Sequence, residues 1–218
     1  MKHRFVGLLM IGLFGLALVS PSSAKGGESD VANWDFDVYL NDKKVGKHSF
    51  TVSETDGMRR VQSQANFNVK VLFITAYQYE HSAAERWAGN CLVEFDASTN
   101  ANGERIRVSG QQTSTGFLIE SGESPVKLPE CVMTFAYWNP EFLEQPQLLN
   151  PQTGEFVDIR VEEVGNELLE IRGQTVAATR FSLKAREVDL TLWYSSDDEW
   201  LALESVAKGG HIIRYELS

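Results

Sequence analysis

The side chains that could do chemistry in this chain are few and spread out. His48 falls on the apolar side of an alternating stretch, His81 ends the aromatic Tyr77-Tyr79 face, and His211 sits on the apolar side of the last such stretch. Histidine titrates near neutral pH, so in a cavity these rings would serve as acid–base groups or ligands. In a plain core each would instead pack its ring and bind a backbone carbonyl. Glu80, Glu85 and Arg86 add a charged cluster beside His81, or face water from an antiparallel strand. Phe135, Tyr137, Trp138 and Phe142 crowd one short segment. Large rings with one polar handle suit the mouth of a pocket for an amphipathic molecule, and equally suit a plug that fills one side of a sheet. Asn139 either binds a ligand or satisfies backbone groups at a turn. Trp87 and Trp193 complete the set of aromatics, with Tyr77 and Tyr79, in segments able to converge on one site.

The residues that would define a known reaction are missing. The chain has no Gly-x-Ser-x-Gly elbow, no Gly-x-Gly-x-x-Gly or Walker sequence, and no His-Glu-x-x-His. Nothing indicates a cofactor. Metal binding is the weakest reading of Cys91 and Cys131, because no Cys-x-x-Cys occurs and the histidines lie far off in sequence. A disulfide between the two is the leading reading for an exported protein, with two buried thiols as the alternative.

Export follows from the first residues. Lys2, His3 and Arg4 precede an apolar run from Phe5 to Val19, and Ser22-Ser23-Ala24 supplies a small-residue cleavage site. The run is short of the ~20 residues that span a bilayer. Cleavage after Ala24 is therefore expected, leaving a periplasmic protein without an integral membrane span. Losing Lys2 and Arg4 takes the formal charge from −10 to −12. A nucleic-acid partner needs a basic footprint, so this charge argues against one. Docking to anionic lipid head groups is disfavoured for the same reason.

The elements that must position these side chains read as β-strands. After a polar tether over 25–33, Trp34, Phe36, Val38 and Leu40 alternate with polar neighbours. A second strand turns Gly46, His48, Phe50 and Val52 inward, and a third does the same with Val61, Ser63, Ala65 and Phe67. From Leu72 to Tyr79 both faces are apolar, as in a covered strand or a cavity wall. Asp56-Gly57 and Asn102-Gly103 mark hairpins. In the second half Phe156–Val161, Leu168–Arg172, Val176–Ala185, Glu187–Tyr194 and the closing His211–Leu217 read as strands, with Gly165-Asn166 as a turn.

Only Cys131–Pro140 breaks the alternation, and it is expected where two β-meanders meet. Val132–Trp138 has few β-branched residues and reads as a short helix stopped at Asn139-Pro140, with a further helical turn over Pro140–Gln145. Roughly eleven strands, one helical insertion around 131–145 and no linker predict a single β-domain over 34–218. Its form is one strongly curved antiparallel sheet or incomplete barrel, with a two-sheet sandwich as the competitor.

At Tyr137-Trp138-Asn139-Pro140, Asn150-Pro151-Gln152-Thr153-Gly154-Glu155 and Leu192-Trp193-Tyr194, the chain resembles a family of uncharacterised bacterial exported proteins. The early Trp-x-Phe-x-Val-x-Leu strand, Gly46, His48, Glu85-Arg86-Trp87, Cys91, Leu203-Glu204-Ser205 and Ile213-Arg214-Tyr215 extend the likeness over nearly the whole mature chain. That family is known only as a domain of unknown function, so it implies a compartment and no reaction. The layout is also similar to the open half-barrels of periplasmic lipoprotein and lipid carriers, an architectural likeness.

Three functions follow as expectations. The first is a binding or carrier protein for an apolar or amphipathic small molecule, lipid-like in character. An enzyme of isomerase or hydrolase type acting on such a molecule is the second. A scaffold in envelope assembly, which needs no pocket, is the third. Absence of a catalytic set favours binding. The expected ligand-contacting residues are His48, Tyr77, Tyr79, His81, Trp87, Phe135, Tyr137, Trp138, Asn139 and Trp193.

Overall fold

Two-residue turns set the hairpins. In the computed structural model, which describes residues 30–71, 74–122, 124–186 and 188–218, Asn41-Asp42, Asp56-Gly57 and Asn102-Gly103 all take positive φ. Asn, Asp and Gly tolerate that region, and the resulting turn matches the twist of its flanking strands. These turns join β1 (Asp30–Leu40) to β2 (Lys43–Thr55), β2 to β3 (Met58–Val71), and β5 (Cys91–Ala101) to β6 (Glu104–Thr113). β4 (Ile74–Ala88) lies between β3 and β5, while β7 (Gly116–Glu120) and β8 (Val126–Leu128) complete the first meander. The expected leader over 1–24, most of the expected tether, and Leu72 and Phe73 lie outside the described residues.

A second meander follows: β11 (Arg160–Ile171), β12 (Gln174–Ala185), β13 (Val188–Tyr194), β14 (Trp200–Val206) and β15 (Ile212–Leu217). The two meanders form one thirteen-stranded antiparallel sheet in the order β11-β12-β13-β14-β15-β1-β2-β3-β4-β5-β6-β7-β8. They are stitched where the last strand pairs with the first, in register from Phe36↔Leu217 to Leu40↔Ile213. The sheet does not close, since β8 and β11 are its edges. It curls tightly enough that Tyr215 of β15 reaches over β1 and β2 to meet Phe67 of β3 at 6.3 Å between ring centroids. This is the curved, incomplete barrel that the alternation predicts.

Two local expectations change. Gly165-Asn166 is not a turn: β11 runs through it with a bulge that Gly165 permits at φ 136°. The reversal comes at Arg172-Gly173, where two consecutive residues take positive φ. Phe156–Val161, read as one strand, divides at Ile159 into β10 (Phe156–Asp158) and the start of β11.

The central segment also differs from its reading. It links the two meanders along the chain, as expected, but they pair elsewhere, at β15 and β1, and the segment crosses from the β8 edge to the β11 edge over the concave face. Val132–Trp138 is not helical. The helical insertion is a short 3₁₀ helix, Pro140–Glu144, capped by Asn139 Oδ1 accepting from the Glu141 N–H. β9 (Gln147–Leu149) pairs with β10 in a small second sheet. Extended backbone wins over helix because neighbours satisfy it: Leu92 N–H donates to Val132 O at 3.0 Å and Leu149 N–H to Met133 O at 2.8 Å. Val132, Met133, Ala136, Phe142, Leu148 and Leu149 pack in one core with Phe36, Trp87, Leu92, Leu192 and Trp200. Burying Phe142, Leu148 and Leu149 contributes about 1.5–3 kcal/mol each. Cys91 and Cys131 stand at disulfide distance, with Cα atoms 4.9 Å apart, and tie the segment's start to β5.

Candidate functional site

Small residues on the inner face leave a space that the central segment roofs without filling. Ser63, Ala83 and Ala97 stand side by side across β3, β4 and β5, and Ala65 stands between His48 and His81 in the next row. Ser63 and Ala83 of these rows form the floor of a cavity of about 330 Å³. Phe50, Val61 and Phe67 form one wall with the β4 side chains. Val188, Leu190, Leu203, Ile213 and Tyr215 of the second meander form the facing wall. The roof is Thr134, Phe135, Ala136, Tyr137 and Trp138, with Asn150, Pro151 and Gln152 at its far end. Tyr77 and Gln152 are exposed and mark the mouth with the half-buried Pro151, and there Tyr79 Oη–H donates to Gln152 Oε1 at 2.8 Å. Thr134 and Glu85 are buried and mark the closed end.

β4 carries most of the polar chemistry because its odd positions from Tyr77 to Glu85 face inward. Tyr77, Tyr79, His81, Ala83 and Glu85 line the cavity in sequence along one strand. Glu85 bridges strand and roof: its Oε2 accepts from Trp87 Nε1–H at 2.9 Å and its Oε1 from Thr134 Oγ1–H at 3.2 Å. Burial pushes its carboxyl up to about 7, against the lowering effect of those two hydrogen bonds. His48 lies with Nε2 2.7 Å from Ser63 Oγ and Nδ1 3.3 Å from Tyr215 Oη, and His81 Nδ1 lies 2.9 Å from Thr99 Oγ1. Desolvation, with a smaller repulsion from His81, lowers His48 to about 3, and desolvation lowers His81 to about 4. Both rings are therefore neutral at physiological pH. Among the described residues no group of three or more His, Cys, Asp or Glu could hold a metal ion.

A family model described as a domain of unknown function, DUF6134, matches residues 36–218. The chain belongs to that family. Among solved structures it is similar to a beta-barrel-like protein of domain of unknown function DUF1849 from Brucella abortus, with TM-score 0.61 and 7% identity. The match covers 85% of this chain and 94% of that one. Identity so low speaks to the fold alone. No curated protein matches.

In this DUF6134 chain the cavity brings together His48, Tyr77, Tyr79, His81, Phe135, Tyr137 and Trp138 of the residues singled out from sequence. Trp87 lies behind Glu85, edge-on to Trp138 at 5.5 Å, and touches the site through the carboxylate it orients. Asn139 faces away from the cavity as a cap, and its Nδ2–H donates to Asn90 Oδ1 at 3.0 Å. Trp193 packs with Ala178 and Leu201 in a separate cluster, and its indole N–H donates to Glu167. His211 is exposed beyond β15, beside Asn41. Sequence reading did not single out Thr134, Gln152 or Tyr215, set Ser63 on the inner face without a role, and left Glu85 open between a cluster beside His81 and a charge facing water. One signal was available for Glu85: it shares odd parity with Tyr77, Tyr79, His81 and Trp87, whereas Glu80 and Arg86 do not.

Proposed function

We propose that this DUF6134 protein is an exported, periplasmic binding or carrier protein whose cavity takes one small amphipathic molecule. A single observation carries the reading. The space between the two meanders and the central segment is walled by apolar and aromatic side chains, with His48, Ser63 and His81 set among them and Glu85 and Thr134 at its closed end. That combination is what small-molecule sites have in common, and about 330 Å³ is at the small end of their ~300–1,000 Å³ range. A protein that served only as a scaffold would gain stability by filling the space, since voids in a core cost contacts. No helix among the described residues is long and apolar enough to cross a membrane. The Cys91–Cys131 pair suits an oxidising compartment.

Acid–base catalysis is the second reading, favoured by Glu85. A carboxyl held near neutrality in an apolar cavity is what proton transfer requires. Both of its oxygens already accept hydrogen bonds from the protein, so binding ranks first. The test is uptake of N-phenyl-1-naphthylamine, an uncharged probe that brightens in apolar surroundings. Saturable uptake at one site per chain is expected. Ala83→Phe, which sets a ring on the cavity floor, should abolish uptake while the far-ultraviolet circular dichroism of the sheet stays unchanged. If the wild-type protein takes up no probe, the binding reading fails and the scaffold reading replaces it.

A further inference from the structure

Resting on that reading, we infer that the cavity selects amphipaths whose head group donates hydrogen bonds and carries no negative charge, and rejects carboxylate and phosphate heads. The inference comes from what the lining offers. Its described side chains include one glutamate, two histidines and four tyrosines, with no lysine or arginine among them. Arg59 lies against Trp138, its Cζ 5.0 Å from the ring centroid, but it gives its hydrogens to Gly89 O and Asn90 Oδ1 outside the lining. An anionic head entering this cavity would lose its water and gain no cation in return, which is the costly case for a buried charge.

Glu85 turns that neutral cost into active rejection. An ionised carboxylate offers about four lone-pair sites, of which Trp87 and Thr134 use one each. Glu85 lines the cavity, and its remaining capacity can only accept. A ligand hydroxyl or amide N–H matches it. A ligand carboxylate meets a second carboxylate in a space with little water to screen the pair. The other titratable groups around the space do not alter this. They are His81, Tyr77 and Tyr79 on β4, His48 on β2, Tyr215 on β15 and Tyr137 in the roof. Burial keeps both histidines and all four phenols in their neutral forms at pH 8.

The test is calorimetric titration of the disulfide-intact protein at pH 8 with decan-1-ol and with decanoate. The two share a ten-carbon chain and differ at the head. Decanol should bind more tightly by about tenfold or more, the size of a close like-charge effect. Glu85→Gln keeps the shape and removes the charge, so it should narrow the gap chiefly by strengthening decanoate. Repeating the wild-type titration at pH 5.5, where Glu85 is protonated, should narrow it as well, without any mutation. Decanoate binding as tightly as decanol at pH 8 would overturn the inference and leave the binding reading standing. Binding of neither ligand would also overturn it, and if the naphthylamine probe stays out too, the binding reading falls with it.

Discussion

Glu85→Gln should reshape the dependence of stability on pH, by an amount that follows from where the carboxyl sits. In the unfolded chain this group has its ordinary value of 4.5, and in the folded protein burial raises it to about 7. Between those values the folded state holds a proton that the unfolded state has released. Stability contributed by Glu85 is therefore fully present below about pH 4.5, falls as pH rises, and is exhausted by about pH 7. At 1.36 kcal/mol per unit, the loss across this window is about 3 kcal/mol.

The wild-type curve alone would conceal this, because the buried histidines act in the opposite sense. His48 and His81 stay neutral when folded, down to about 3 and 4, whereas the unfolded chain protonates them near 6.5. Their contribution is lost on acidification and recovered toward pH 6.5. Subtracting the variant isolates Glu85. The substituted glutamine would mimic the protonated acid: its carbonyl can accept from Trp87 Nε1–H while its amide donates to Thr134 Oγ1. Urea unfolding followed by tryptophan fluorescence, at fixed pH from 4 to 8, gives both curves. The wild-type advantage over the variant should shrink by about 3 kcal/mol between pH 4.5 and 7 and then level off. A difference that stays flat across that window would refute the placement of a protonated carboxyl between β4 and the roof.

Three further outcomes are expected. Cys91→Ser combined with Cys131→Ser should lower stability by about 4 kcal/mol in urea, the chain-entropy value for a cross-link spanning 40 residues. Gly46→Ala should destabilise more than an ordinary surface substitution, because an added Cβ would sit 1.9 Å from Asn66 O inside the β2–β3 ladder; overpacking of this kind costs about 1–3 kcal/mol, read by thermal melting. Tyr79→Phe removes the hydrogen bond to Gln152 at the mouth, a bond worth about 0.5–1.5 kcal/mol. Stopped-flow release of bound naphthylamine should accelerate about twofold to tenfold, with the melting temperature lowered by no more than about 2–6 °C.

Much of the sheet was legible because its determinants are local. Alternation put His48, Phe50 and Val52 on the buried face, and the Asp-Gly and Asn-Gly pairs placed hairpins where φ is positive. The joining of the two meanders was not legible. Phe36 pairs with Leu217 across nearly the whole chain, and nothing in either strand's composition names its partner. The central segment misled for a different reason. Its weak β-propensity looked helical, but two of its rings find partners on the sheet: Tyr137 against Trp200 and Trp138 against Trp87. Tertiary contacts of that kind override propensity and leave no period in the sequence. Glu85 stayed grouped with Glu80 and Arg86, either in a cluster beside His81 or facing water, because charges on antiparallel strands usually face water. Parity along β4 was the better guide.

The topology itself explains why a cavity forms here. A chain that leaves the sheet at β8 and re-enters at β11 must travel from one edge to the other. The apolar run through Val132, Met133, Phe142, Leu148 and Leu149 sends it across the concave face and not around the outside. Its attachments are unequal. At the closed end the segment is held by the Cys91–Cys131 pair, the Leu92–Val132 backbone bond and the Thr134–Glu85 hydrogen bond. At the mouth, the Asn150–Gly154 turn meets β4 through the Tyr79–Gln152 bond, beside exposed side chains. Local opening draws on the least stable contacts first. On the proposed function, ligand exchange therefore runs past Gln152 and Tyr77, while the disulfide end holds the roof in place over Glu85.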